Sequence, residues 1–192
     1  MYILLNVQIL CETSMRHVHL SEKDLQVLFG KGAKLEFERQ LSQPGQFLSK
    51  QRVTLVGKSG RSIENVGIIG PTRSASQVEI SRTDSFVLGL RDVPLRLSGD
   101  LDGDVPLITI KNGDITVSAK VIIAKRHIHL DPVTAKKIGL KHGDVIKIKI
   151  EGARAAVLDQ VIARVDKNFA SAVHLDSDEA NAVGSPQFIK IE

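Results

Sequence analysis

One short pattern recurs along the chain at points where a strand leads into a helix. A histidine is followed by leucine, by a residue suited to a helix N-cap and by a helical stretch that ends at glycine. The three copies begin at His19-Leu20-Ser21, His129-Leu130-Asp131 and His174-Leu175-Asp176, and their closing glycines are Gly30, Gly139 and Gly184. Serine and aspartate favour the N-cap, and glycine favours the left-handed position after a helix. The repetition predicts one structural unit used several times, with each histidine at the end of a strand.

The first two copies extend backwards into a longer repeat. Arg16-His17-Val18-His19-Leu20 and Arg126-His127-Ile128-His129-Leu130 lie 110 positions apart. Elsewhere, short runs rich in valine and isoleucine alternate with polar residues, as at 52–56 and 145–150, and turn sequences separate these runs. Such alternation indicates half-buried strands. We therefore predict a mainly β protein with two small, related β-barrels and short α-helical caps.

Composition limits the ligands that such a protein would bind. The chain has 192 residues, a net charge of +4 and only 4% aromatic residues. Its basic residues are scattered, which favours small anionic ligands, and it has few side chains on which nucleic-acid bases could stack. The apolar stretch at 1–10 is short and is interrupted by Asn6 and Gln8, so we predict a first strand and not a signal peptide or membrane span. We expect no nucleic-acid or membrane partner and a cytoplasmic location.

The paired histidines predict metal sites. Residues i and i+2 of a strand point to the same face, so His17 and His19 project together, as do His127 and His129. Imidazole nitrogen is a common zinc ligand. Cys11 is the only cysteine, so a metal would be bound by histidines and carboxylates, and we expect the Cys11 thiol to be buried and inert. Two histidine pairs in the same frame favour metal binding over the ordinary role of a lone core histidine.

Several other residues have two interpretations. Glu79 could complete a three-ligand site, but a glutamate between two apolar residues usually lies on the solvent face of a strand. Arg73 lies in a loop rich in glycine, serine and threonine that offers donors for a phosphate, although a loop arginine is more often simply solvated. Arg16 and Arg126 alternate with the histidines and should point to the opposite face, as structural residues or near an anionic site. His142 is predicted to be an exposed turn residue.

Four motifs together resemble the PduL-type phosphate propanoyltransferase (phosphotransacylase) family. They lie at 14–21, 70–81, 124–130 and 173–176, in the family's order, and the resemblance extends from about residue 7 to the C-terminus. The resemblance implies two interleaved β-barrel domains. One would contain residues 1–15 and 124–192, and the other, inserted domain would contain residues 16–123. The domain boundaries would then coincide with the two Arg-His-x-His-Leu segments.

The resemblance also implies a site with two zinc ions. The ligands of one ion would be His17, His19 and Glu79, and those of the other would be His127, His129 and His174. Arg73 matches the family's phosphate-positioning arginine. The implied reaction converts acyl-CoA (propanoyl-CoA or acetyl-CoA) and phosphate reversibly into acyl phosphate and CoA. No residues are predicted for CoA binding.

The resemblance bears on location and assembly as well. Some family members carry an N-terminal extension that directs them into a bacterial microcompartment. Only 16 residues precede His17 here, so a cytoplasmic location is the expectation, with a microcompartment as the second location that the resemblance allows. We expect a homo-oligomer.

Two other functions would use the same ligands. One is a zinc-dependent hydrolase, in which water takes the place of phosphate, and the other is a non-catalytic, zinc-stabilised barrel. The Arg73 loop favours the acyltransferase, because a hydrolase needs no dedicated phosphate-binding group. A purely structural site would be fully ligated by protein.

Overall fold

A computed structural model describes residues 8–191, and strands dominate its backbone. Fourteen strands and four helices occur in this range. In chain order the elements are β1 (Gln8–Ser14), β2 (His17–His19), α1 (Glu22–Phe29), β3 (Phe37–Gln40), β4 (Phe47–Val56), β5 (Ser62–Gly70), β6 (Gln77–Glu79), α2 (Arg82–Val87), β7 (Leu95–Arg96), β8 (Leu107–Asn112), β9 (Ile115–Ala124), β10 (His127–Leu130), α3 (Pro132–Ile138), β11 (Val145–Ile150), β12 (Ala156–Val165), β13 (Ala172–Asp176), α4 (Ser177–Ala182) and β14 (Phe188–Ile191).

The N-terminal stretch is described only in part. Of the strand predicted at 1–10, positions 8–10 belong to β1, and positions 1–7 lie outside the described residues. In the part of the chain that the structure describes, no helix has the length and apolar character needed to cross a bilayer.

The chain divides into two compact units. Among the described residues, unit 1 contains 8–14, 42–44 and 125–191, and unit 2 contains 15–41 and 45–124. The segment 42–44 was not part of the predicted first domain. Whether the predicted ranges fold as independent domains stays a prediction, because these units describe compactness within one chain.

Unit 2 is a closed six-stranded barrel. Its strands follow the order β4-β5-β2-β6-β9-β8, and β8 pairs with β4 to close the ring. Strand β3 extends the sheet beside β4, and β7 pairs with β9. The interior contains fully buried aliphatic side chains such as Val18, Leu55 and Ile68, which come from alternate positions of neighbouring strands.

Unit 1 is a second closed six-stranded barrel with the order β11-β12-β10-β13-β1-β14. Every pairing has the same direction as its counterpart in unit 2: β10 is parallel to β12 and antiparallel to β13, as β2 is parallel to β5 and antiparallel to β6. The prediction of two small barrels with helical caps is therefore confirmed. Because β1 occupies the position of β9, the strand that comes last along the chain in unit 2 comes first in unit 1.

The barrel positions add a fourth copy to the sequence repeat. Strand β13 occupies the place of β6, and His127 pairs with His174 where His17 pairs with Glu79. The structural counterpart of His174 is therefore Glu79, and Glu79-Ile80-Ser81 is a copy that a search for histidine misses. The four N-cap side chains that accept backbone N–H groups are Ser21, Ser81, Asp131 and Asp176.

Candidate metal centres

Three side chains suited to metal binding meet in unit 2. His17 and His19 lie on β2, and Glu79 lies on β6 directly opposite His17. Their ligand atoms are all within 4.8 Å of one another, and Oε1 of Glu79 is 3.6 Å from Nε2 of each histidine. The three residues are only 3–7% exposed. The interpretation of Glu79 as a residue of the solvent face is therefore wrong.

Two of the three protonation states in unit 2, those of Glu79 and His19, suit a bound cation. Burial raises the pKa of Glu79, but the charge and hydrogen bond of His17 outweigh burial, so this pKa lies well below its ordinary value of 4.5. Burial, His17 and Arg73 lower the pKa of His19 well below 6.5. Burial also opposes the charged form of His17, but Glu79 and the Met15 carbonyl raise its pKa above 6.5. An ionised carboxylate and a neutral imidazole are the forms that bind metals, and a bound cation would replace the proton that Glu79 attracts to His17.

A hydrogen-bonded shell fixes the carboxylate of Glu79. Its Oε1 accepts hydrogen bonds from Nε2 of Gln77 at 2.6 Å and from Oγ of Ser98 at 2.5 Å. The amide of Gln77 is itself oriented, because its Oε1 accepts the N–H of Gly99 at 2.9 Å. Neither residue is predicted from the sequence. Gln77 shares the strand face of Glu79, which is a usable signal, whereas Ser98 lies in a loop that carries no local signal.

The loop that carries Arg73 is attached to the same centre. The side chain of Arg73 donates to Oγ of Ser98 at 3.0 Å, so a chain of two hydrogen bonds links it to Glu79. The backbone N–H of Arg73 donates to the Leu20 carbonyl at 2.9 Å. Ser76 secures the far end of the loop, because its Oγ accepts the N–H of Ser21 at 2.8 Å. The guanidinium is thus held beside the three candidate ligands.

Unit 1 brings together the other three predicted ligands. His127 and His129 lie on β10, His174 lies on β13, and their ligand atoms are again within 4.8 Å of one another. Nδ1 of His127 donates to the carbonyl of Lys125, two residues earlier, at 2.8 Å. Nδ1 of His17 donates in the same way to the carbonyl of Met15. Phe169 stacks on His129 with ring centroids 4.0 Å apart. In both units, this Nδ1 hydrogen bond leaves Nε2 of the first histidine available to a metal.

Two side chains that the sequence does not predict, those of Glu12 and Gln43, lie beside His174. Nδ1 of His174 is 3.7 Å from Oε2 of Glu12, which also accepts a hydrogen bond from Ser42. The Gln43 amide pairs with the backbone of Ala170 through bonds of 3.0 and 3.3 Å, and its Nε2 is 3.5 Å from Nε2 of His174. A carboxylate beside the second nitrogen of a metal-binding histidine commonly orients the ring.

The remaining singled-out residues lie outside the two candidate centres. Arg16 forms an ion pair with Asp84 at 2.8 Å, and Arg126 forms one with Glu179 at 2.7 Å. His142 is exposed, as predicted. The Cys11 thiol is half-buried, and burial together with the charge of Glu12 raises its pKa to about 11. The thiolate form of Cys11 is therefore scarce at neutral pH.

The fold and its two ligand groups describe a double-barrel protein with two candidate metal centres, and comparisons with known proteins identify the family. The family model described as phosphate propanoyltransferase matches residues 10–186. One curated relative with this name, from Thermotoga maritima, is 49% identical over 91% of this chain and 83% of the relative. Another, from Enterococcus faecalis, is 45% identical over 90% of this chain and 82% of the relative. A relative from Listeria monocytogenes is 42% identical over 97% of this chain and 87% of its own length.

The chain belongs to the phosphate propanoyltransferase family. It is therefore an enzyme of the acyltransferase class, and the resemblance noted from its motifs is confirmed.

Proposed function

We propose that this enzyme converts an acyl-CoA and phosphate reversibly into an acyl phosphate and CoA. The relatives' name supports phosphate as one substrate and propanoyl as the transferred acyl group, and acetyl is the alternative acyl group. The observation that carries the proposal is the link from Arg73 through Ser98 to Glu79, which holds a phosphate-binding type of side chain beside a three-ligand metal group.

We also propose that each unit binds one zinc ion. In unit 2 the ligands would be His17, His19 and Glu79, and in unit 1 they would be the three histidines described above. Both sets fit zinc, which binds imidazole nitrogen and carboxylate oxygen and keeps a position open when three protein ligands hold it. When bound, zinc would supply Lewis-acid polarisation of an oxygen and a binding point for phosphate.

The chain's own residues account for the positioning of phosphate. The guanidinium of Arg73 offers paired N–H donors that match phosphate oxygens, and its loop is fixed at both ends, so little freedom is lost on binding. A phosphate oxygen attacks the thioester carbonyl carbon, the carbon–sulfur bond breaks, and CoA leaves as a thiolate. The charge of Arg73 stabilises the negative charge that develops during this attack.

The reaction needs no strong acid or base from the protein. Phosphate is already ionised at neutral pH, and a thiolate is a good leaving group. This fits a centre in which the Glu79 carboxylate accepts hydrogen bonds from Gln77 and Ser98 and is not needed for proton transfer.

The deciding experiment measures whether thioester loss depends on phosphate. Release of free CoA from propanoyl-CoA and from acetyl-CoA is followed with and without phosphate, and acyl phosphate is trapped with hydroxylamine. We expect release only with phosphate and a matching yield of trapped product. Release that continues without phosphate would identify a hydrolase, and no release at all would support a non-catalytic barrel.

Metal analysis tests the two-ion part of the proposal. We expect two equivalents of zinc per chain, and a reproducible single equivalent would contradict this. Assembly as a homo-oligomer and location in the cytoplasm or a microcompartment stay predictions.

A further inference from the structure

In both units, the arginine that precedes the first histidine binds a helix far along the chain. Nε and Nη2 of Arg16 both lie 2.8 Å from Oδ1 of Asp84. Nε of Arg126 lies 2.7 Å from Oε1 of Glu179. Asp84 and Glu179 occupy the same position, the third residue of the helix that follows the strand of the third ligand.

The second oxygen of each carboxylate is bound to the start of that helix. Oδ2 of Asp84 accepts the N–H of Ser81 at 3.2 Å, and Oε2 of Glu179 accepts the N–H of Asp176 at 3.4 Å. The N-cap residue returns a bond in each case and completes a capping box. Each carboxylate therefore bridges an arginine to the N-cap of a helix.

The N-cap residues place this bridge next to the third ligands. Ser81 lies two residues after Glu79, and Asp176 lies two residues after His174. The arginine at the other end of each bridge directly precedes His17 or His127. Each bridge thus ties the first histidine of a centre to the third ligand across the strand pair.

The opposite end of each strand pair is tied as well. Oγ of Ser76 accepts the N–H of Ser21, and Oγ of Ser171 accepts the N–H of Asp131. In unit 2 the paired strands β2 and β6 have three residues each, so few ladder hydrogen bonds hold them in register. The ties at their ends therefore matter for the spacing of the ligands.

The Arg16 bridge differs clearly from surface ion pairs, and the Arg126 bridge differs less, because its Glu179 side chain is 18% exposed. The Asp84 side chain is 3% exposed, whereas the pair of Lys50 and Glu36 is 64% and 66% exposed. A pair with a buried partner is screened little by water, and removing its cation leaves the buried carboxylate uncompensated. Loss of Arg16 would therefore disturb the N-cap beside Glu79 and not only the surface.

We propose that Arg16 and Arg126 are positioning residues, each of which fixes the spacing between the first histidine and the third ligand of its own centre. This inference rests on the proposed binding of metal by both centres. Each arginine controls the rate at which its own centre releases metal, and it does so without contacting the metal.

The test measures metal release from each centre separately. The two donor sets differ, with two nitrogens and one oxygen in unit 2 and three nitrogens in unit 1, so the cadmium-113 form of the protein should give one resonance for each centre. We expect Arg16→Gln to speed the chelator-driven loss of the unit 2 resonance by about 10- to 100-fold, the usual effect of removing an outer-shell partner, and to leave the unit 1 resonance unchanged. Arg126→Gln should show the reverse.

A matched control and a second variant protect the test. Lys50→Gln removes the exposed pair of Lys50 with Glu36 in unit 2 and should leave both release rates unchanged. Arg16→Lys keeps the charge but not the planar fork by which Nε and Nη2 both approach Asp84, and it should give an intermediate rate. Where Arg16→Gln fails to fold, Asp84→Asn is measured in its place, because it keeps the cap and removes the charge pair.

Three results would overturn the inference. One is release at the wild-type rate from both centres of Arg16→Gln. Another is equal acceleration at both centres with a lowered melting temperature, which indicates a general loss of stability. A third is an additive effect of Arg16→Gln and Asp84→Asn, because a single bridge predicts that the second change adds little.

A wild-type protein that binds no metal would refute the proposed function itself, whereas metal binding with unchanged release in the variants would refute only the role of the arginines.

Discussion

The two centres share one scaffold and differ in charge. In both, a strand with two histidines pairs with an antiparallel strand that carries the third candidate ligand. Unit 2 has the ionised Glu79 at this third position, with Arg73 close by, whereas unit 1 has His174. With a divalent cation bound, the ligand set of unit 2 would carry a net charge of about +1 and that of unit 1 about +2. The barrel therefore determines where the candidate ligands lie, and different side chains on this shared geometry determine the charge of each centre.

The largest effect is expected from the residue that distinguishes unit 2. Arg73→Ala should lower kcat by about 100- to 1,000-fold, since it removes the cation that we propose positions phosphate and stabilises the developing charge. Zinc content should stay unchanged. Turnover and metal content are measured together, with exposed Arg91→Ala as the control. Loss of zinc in Arg73→Ala would instead give Arg73 a structural role.

Glu79→His makes the ligand set of unit 2 equal to that of unit 1. We expect metal to be retained and kcat to fall by about 100-fold, because the carboxylate charge disappears and Gln77 and Ser98 lose their acceptor. Metal content and turnover measure this, and His174→Glu in unit 1 is the reciprocal variant. If Glu79→His turns over at the wild-type rate, the difference between the two donor sets has no catalytic meaning.

Ser98→Ala breaks the link between Arg73 and Glu79 and should have a smaller effect. A fall of about 10-fold in kcat/KM is expected, since the loss of an outer-shell hydrogen bond loosens both side chains but removes neither. Ser98→Thr keeps the hydroxyl and serves as the matched control. Equal losses in Ser98→Ala and Ser98→Thr would show that the site responds to side-chain size and not to the hydrogen bond.

The smallest effect concerns the helix caps that follow the histidine strands. Hydrogen bonds from Thr134, Ser171 and Val133 lower the pKa of the unit 1 cap Asp131 from 3.8 to about 2, while its unit 2 counterpart is Ser21, which does not ionise in this range. Because this pKa is lowered in the folded state, ionised Asp131 stabilises the fold above about pH 3.8, and the contribution is lost as pH falls towards 2.

Asp131→Asn should therefore lose less stability on acidification. The difference should be less than about 1 kcal/mol, because Asp131 is only partly buried and its carboxylate is screened by water. Urea unfolding at pH 5 and pH 3 measures it, with exposed Asp114→Asn as the control for the loss of a negative charge. An identical acid response of Asp131→Asn and wild type would contradict the prediction.

The sequence predicted the features that depend on neighbouring residues. The i, i+2 spacing identified both histidine pairs, and residue preferences identified the N-caps at Ser21 and Asp131. The local pattern raised Glu79 as a possible ligand but favoured the solvent face, and only the family resemblance placed it in a ligand set. All three residues of β6 are buried, so the usual alternation of exposed and buried positions is missing there. Local pattern fails where both faces of a strand are covered.

Other features depend on contacts between residues that are far apart along the chain. Gln43 contacts His174, which lies 131 positions further along the chain, and Arg16 pairs with Asp84, which lies 68 positions further along. Neither pair has a local signature in a single sequence. The equivalence of Glu79 and His174 likewise required the strand order of the barrels, since the two residues differ in chemistry and agree only in position.

The position of β1 has a consequence for how the chain is made. Among the described strands β1 is synthesised first, yet its partners are β13 and β14, which begin at residues 172 and 188. All six barrel strands of unit 2 are synthesised before those partners exist. During synthesis β1 therefore lacks its native partners until residues 172–191 have been made, and its unpaired backbone groups are open to pairing with other chains in that interval.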